Sequence, residues 1–73
     1  MKGAYMAIGK NIKLLRERFG YSQNELAKLT GISQALIWYY EHEDKMPSVK
    51  NAGKLAKVFN ITIDELLYGE KRA

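Results

Sequence analysis

The stretch from Ser22 to Glu41, SQNELAKLTGISQALIWYYE, decides how this chain folds. Ser22 is followed three residues later by Glu25. In that spacing the hydroxyl accepts from the Glu25 amide while the carboxylate reaches back to the Ser22 amide, so a helix begins there. Leu26, Ala27 and Leu29 form its buried side. It ends at about Thr30, because Gly31 can take the left-handed conformation without a Cβ penalty. Ser33 then caps a second helix running to Glu41, in which Ile37, Tyr40 and the stem of Glu41 share one face. So tight a turn makes the two helices cross steeply, at roughly 90–120°. The crossing needs a small residue, and Ala27 is expected to supply it.

Upstream, Ile8, Ile12, Leu15 and Phe19 recur at helical spacing from about Ala7, with Lys10, Lys13, Arg16, Glu17 and Arg18 on the remaining surface. This is an amphipathic first helix ending at Gly20. Downstream, a charged loop from His42 to Pro47 is closed by a proline that a helix cannot pass. Ser48 caps the next helix, with Val49, Ala52, Leu55, Ala56 and Phe59 inward and Gly53 weakening it by about 1 kcal/mol relative to alanine. Asn60 ends it. Thr62 and Glu65 repeat the capping signature and open a last helix, with Ile63, Leu66 and Leu67 inward and Gly69 at its end. Nothing alternates as a strand does, and there is no internal repeat. The expected fold is all-α, a compact bundle of five short helices over residues 7–69, with an N-terminal arm at 1–6 and a tail at 70–73.

Seventy-three residues make one domain whose small core needs every helix to contribute. With no cysteine there is neither a disulfide nor a thiolate metal site, and one histidine, His42, cannot hold a metal alone. No cofactor or small-molecule ligand is implied. No nucleophile and base stand together and no glycine-rich phosphate loop occurs, so the chain does not read as an enzyme. No long apolar run or signal-type start is present, and a cytoplasmic protein without membrane association is expected. The net charge is +4 and the pI about 9.4. Residues 1–40 hold six Lys/Arg against two Glu, whereas 41–73 hold six against six. The basic excess lies in the half that carries the two-helix unit, which suits a polyanion.

The order of five short helices, the segment SQNELAKLTGIS, then Ile37, Tyr40 and Glu41, the proline in the following loop and the closing FNITIDELLYG resemble the helix-turn-helix domains of phage repressors of the Cro/C1 type, the XRE-like family with a lambda-repressor-like fold. The similarity covers about Ile8 to Gly69. It implies sequence-specific binding of double-stranded DNA by a bacterial or phage transcriptional regulator, a repressor that reads a palindromic operator through the helix Ser33 to Glu41. Gln23 matches a residue that bonds a DNA phosphate, as free amides at a positive helix end would favour. Arg16 and Glu41 match an internal ion pair tying the first helix to the end of the reading helix. Gln34, Ala35 and Tyr39 match positions facing base edges.

Helical geometry agrees with that carry-over. With Ile37 and Tyr40 inward, Ala35, Trp38, Tyr39 and His42 fall on the opposite face, with Gln34 at its N-terminal edge. Gln34 could pair with adenine and Ala35 could touch a thymine methyl. Ser22, Gln23 and Ser33 at the helix starts, with Lys10, Lys45 and Lys50, are the expected phosphate contacts. His42 is expected to complement the negative end of its helix. A single domain reads few base pairs, so a homodimer is expected, formed in solution or only on DNA, with the last helix (Leu66, Leu67, Tyr68) and the loop before it as its surface.

Two features depart from the family. Trp38 and Tyr39 place adjacent aromatics on the outward face, where they can touch the groove, anchor a protein interface or pack on the following loop. The alternative function is therefore a protein-interaction module, such as an antitoxin or a regulator's partner, that uses Trp38 and Tyr39. Glu43 and Asp44 stand where glycine and a polar or basic residue are usual, and would repel a nearby phosphate.

Overall fold

The computed structural model describes residues 8–69; the arm at 1–6, Ala7 and the tail at 70–73 lie outside the described residues. Those residues form five helices and no strand: α1 (Ile8–Arg18), α2 (Gln23–Thr30), α3 (Gln34–Glu43), α4 (Val49–Phe59) and α5 (Ile63–Tyr68). The local signals explain the boundaries. Ser22 and Glu25 complete a capping box at α2, as do Thr62 and Glu65 at α5, and Ser33 and Ser48 cap α3 and α4 through Leu36 and Asn51 amides. Gly31 sits at φ 76° and turns the chain from α2 toward α3. The helix α3 runs two residues beyond Glu41 before Asp44, at φ 53°, stops it.

The core joins all five helices through Ile8, Ile12, Leu15, Leu26, Ile37, Tyr40, Ala52, Leu55, Phe59 and Leu66, with Ile32 from the turn. Four residues expected inward are not core. Val49 is 83% exposed and Ile63 lies at the surface. Each is the first residue of its helix, and a helical side chain lies over the turn before its own Cα, which these two lack. Pro47 is buried in the segment leading into α4. Leu29 is exposed because Thr30 takes the inward position, where its hydroxyl donates to the Leu26 carbonyl (2.8 Å) and accepts from the Ile32 amide (3.1 Å). Phe19 falls beyond the end of α1, so its ring sits at the rim, 5.5 Å from Phe59 and 5.8 Å from Tyr21. Ala27 and Leu67 are half-buried against the core.

Two contacts set α1 against α3. A Cβ on Gly9 would lie 2.3 Å from the Tyr40 carbonyl oxygen and 2.7 Å from that of Glu41, so only glycine lets the backbones approach this closely. The Gly9 amide donates to Asp44 Oδ1 at 3.0 Å. Asp44, expected only to repel phosphate, thus accepts from the first turn of α1, where a negative charge is favoured. Further along, Arg16 Nε donates to Glu41 Oε2 (2.7 Å) and Nη2 to Oε1 (3.0 Å), while Nη1 donates to the Tyr21 carbonyl (2.8 Å). The side chains of the pair are 13% and 1% exposed. The hydrogen bond to Glu41 raises the Arg16 pKa above the usual arginine value against the lowering effect of burial. At the other end, Asn11 is buried and donates to the Leu66 carbonyl (2.9 Å), satisfying the C-terminal end of α5.

Two expectations follow for stability. Gly9→Ala should cost about 1–3 kcal/mol through overpacking. Gly53→Ala, whose Cβ meets nothing within 4 Å, should stabilise by up to about 1 kcal/mol. Urea denaturation of both variants checks the contrast, and equal midpoints would contradict it. Arg16→Met leaves the Glu41 carboxylate buried without its cation and should cost about 3–5 kcal/mol, whereas adding Glu41→Leu should restore most of the loss. A double variant no more stable than Arg16→Met alone would contradict the pairing energetics.

Candidate nucleic-acid interface

The buried ion pair continues outward as a chain of hydrogen bonds. Glu41 Oε1 also accepts from Gln23 Nε2 at 3.1 Å, and Gln23 Oε1 accepts from Gln34 Nε2 at 2.7 Å. Each amide's orientation follows from its neighbour. A carboxylate only accepts, so Gln23 turns its amino group to Glu41 and its oxygen to Gln34, which must answer with its amino group. Gln34 is therefore left with its oxygen and one N–H at the exposed start of α3, and Gln23 with one further N–H at the start of α2. An acceptor beside a donor on one outward side chain is the complement of the adenine edge in a major groove.

Ser22 and Ser33 stand at the same helix starts. Their oxygens accept from the Glu25 and Leu36 amides at 3.0 and 3.1 Å, so both serines work as caps. Neither hydroxyl donates within the described residues. Such a hydroxyl, with the open amides of the first helical turn, suits an anion. Lys10 and Lys45 are each one residue from the Gly9–Asp44 contact, and Lys50 lies in the first turn of α4; all three are exposed. No hydrogen bond or ion pair joins these lysines to the glutamine chain.

The outward face of α3 is aromatic. Ala35 is exposed, and Trp38 and Tyr39 are 38% and 50% exposed. The Trp38 ring stacks on His42 (centroids 4.3 Å apart, planes at 11°) and meets Tyr39 edge-on (5.2 Å, 88°). His42 Nδ1 lies 3.0 Å from the Trp38 carbonyl oxygen, which can only accept, so Nδ1 carries a proton. A histidine expected to serve the helix end thus also braces the tryptophan. The spacing of four residues between Trp38 and His42 is the sequence signal for that stack. On the inner face, Tyr40 is buried and its hydroxyl accepts from Asn51 Nδ2 at 3.0 Å, fixing α3 to α4.

Among the described residues no group of His, Asp and Glu could hold a metal ion, and no helix is long and apolar enough to cross a membrane. A shallow hollow between α1 and α5 is lined by Leu14, Leu15 and Tyr68 among others, and by neither glutamine of the network.

Residues 12–66 match the Helix-turn-helix family, HTH_3. The HTH-type transcriptional regulator YgzD of Bacillus subtilis is 33% identical over 60 residues, covering 82% of this chain and 91% of its own. An HTH-type transcriptional regulatory protein of Pyrococcus abyssi is 42% identical over 59 residues, which are 80% of this chain but only 19% of that longer protein. Among solved structures, the P22 c2 repressor in complex with a synthetic operator superposes with a TM-score of 0.79 at 28% identity, covering 86% of this chain and 96% of that one. Sequence match and five-helix architecture agree, and the chain belongs to the helix-turn-helix family of Cro/C1-type, XRE-like domains.

Proposed function

We propose that this chain binds double-stranded DNA in a sequence-specific way as the DNA-binding domain of a transcriptional regulator, with α3 in the major groove. The observation that carries this reading is the relay from Glu41 through Gln23 to Gln34. It spends a buried carboxylate on orienting one exposed amide, and that amide then matches adenine N6 and N7. Gln23 serves twice, since its remaining N–H can donate to a phosphate while its oxygen holds Gln34. Arg16 and Glu41 act as the structural base of the relay. Ser22, Ser33, Lys10, Lys45 and Lys50 supply phosphate contacts that position the domain without reading sequence. Ala35, Trp38 and Tyr39 complete the reading face. The P22 c2 repressor, solved on an operator, supports the same use of the fold.

One such domain reads few base pairs, so the working form is a homodimer on a palindromic operator whose half-sites lie about one turn, ~34 Å, apart. Leu66, expected on the dimer surface, is buried in the core, and exposed Tyr68 on α5 with Leu14 on α1 favours that end of the molecule for the second copy. The protein acts as a repressor in the cytoplasm, without catalysis.

Selection from a random DNA library at two salt concentrations tests this. Recovery of a palindromic motif whose binding weakens as salt rises supports it; enrichment of no motif overturns it. Gln34→Ala should lower discrimination at one position of the motif by about 1–3 kcal/mol. Lys45→Ala should weaken binding to all sequences alike and reduce the salt slope by about 1. Indistinguishable profiles for the two variants across a site library would contradict these roles.

A further inference from the structure

The ten residues of α3, QALIWYYEHE, contain neither lysine nor arginine. Guanine is read in the major groove chiefly by those two side chains, through O6 and N7. On this helix only Gln34 has a base-reading amide at the outward edge, and the rest of the face is the Ala35 methyl, the Trp38 indole, the Tyr39 phenol and the His42 imidazole stacked on Trp38. The major groove offers one apolar feature that such a surface can match, the C5-methyl of thymine; 5-methylcytosine carries a methyl at the same place.

The indole is also held ready. His42 stacks flat on it at 4.3 Å and bonds its carbonyl at 3.0 Å, and Tyr39 meets it edge-on at 5.2 Å. An unbraced surface tryptophan would lose rotamer freedom on docking, whereas this one is already ordered. Bracing of this kind gives the core nothing, because all three rings are exposed.

Resting on the DNA-binding reading above, we propose that Trp38, braced by His42 and Tyr39, reads the C5-methyl groups of pyrimidines in the major groove. The half-site then sets the adenine read by Gln34 beside thymines. His42 is a positioning residue: it orients the indole without touching the base. A protein partner would use the same aromatics, but it gives no reason for a helix bearing an outward adenine-matching amide to lack both lysine and arginine, the side chains that chiefly read guanine.

The test uses the full chain and the operator obtained by selection. Each thymine is replaced in turn by deoxyuridine, which keeps the pairing edge and O4 and removes only the methyl. Binding should weaken about fourfold for each methyl that Trp38 covers, as expected for one buried methyl-sized group. Trp38→Ala should abolish that thymine-to-uracil ratio, and His42→Ala should reduce it with the salt slope unchanged, a separation that a general loss of folding would not produce. In an operator carrying cytosine in place of such a thymine, 5-methylcytosine should bind more tightly than cytosine. Specific binding that is indifferent to uracil at every position overturns the proposal and leaves the DNA-binding reading standing. Enrichment of no motif removes both readings and assigns the aromatic face to a protein partner.

Discussion

The carboxylate of Glu41 is the constraint on which the rest depends. Its side chain is 1% exposed, so its charge must be neutralised and its oxygens satisfied inside the protein. Arg16 from α1 takes both oxygens, and Gln23 from α2 shares one of them. Three helices are thereby fixed around one group near the end of α3. A buried ion pair of this kind adds little net stability compared with an apolar replacement, but losing one partner is costly. Its value here is orientation. The hydrogen bond that Glu41 Oε1 accepts from Gln23 determines which way that amide faces, and hence which atoms Gln34 offers to solvent.

A second constraint acts on the backbone. Gly9 allows α1 to lie against the carbonyls of Tyr40 and Glu41, and the Asp44 carboxylate closes the contact by accepting from the Gly9 amide. Arg16 and Gly9 thus grip α3 at two places along α1. The acid at position 44 is explained by this contact. Its charge faces the positive end of α1 and the chain leaves α3 in the left-handed conformation that an aspartate tolerates.

Much of the fold was legible because its signals are local. Capping boxes at Ser22 and Thr62, serine caps at 33 and 48, and the left-handed stops at Gly31 and Asn60 need only neighbouring residues to act, and all are observed. Apolar periodicity located the core except where a helix begins or ends, as at Val49, Ile63, Leu29 and Phe19. What escaped were single long-range contacts without a repeat. Gly9 looks like a weak helix residue, Asn11 like a surface amide and Asp44 like a stray charge, until another helix is brought against each. At the site, the partnership of Arg16 with Glu41 came from family resemblance. The bond between Gln23 and Gln34 lay across a turn that periodicity does not span, and the Trp38–His42 stack was present in the four-residue spacing but unread.

These placements separate two tasks that basic reading helices combine. Here α3 carries Glu41 and Glu43 and no cation, so it adds nothing to attraction for a phosphate backbone. On the proposed reading, affinity must come from outside it: from Lys10 on α1, Lys45 in the loop, Lys50 on α4 and the amide-rich start of α2. Phosphate contacts are screened by salt and indifferent to sequence, whereas the amide and aromatic contacts of α3 are short-ranged and discriminating. The Glu41 relay belongs to the second set, and it is anchored in the core, so whatever loosens α1 from α3 would blur the reading of bases before it weakened the hold on phosphates.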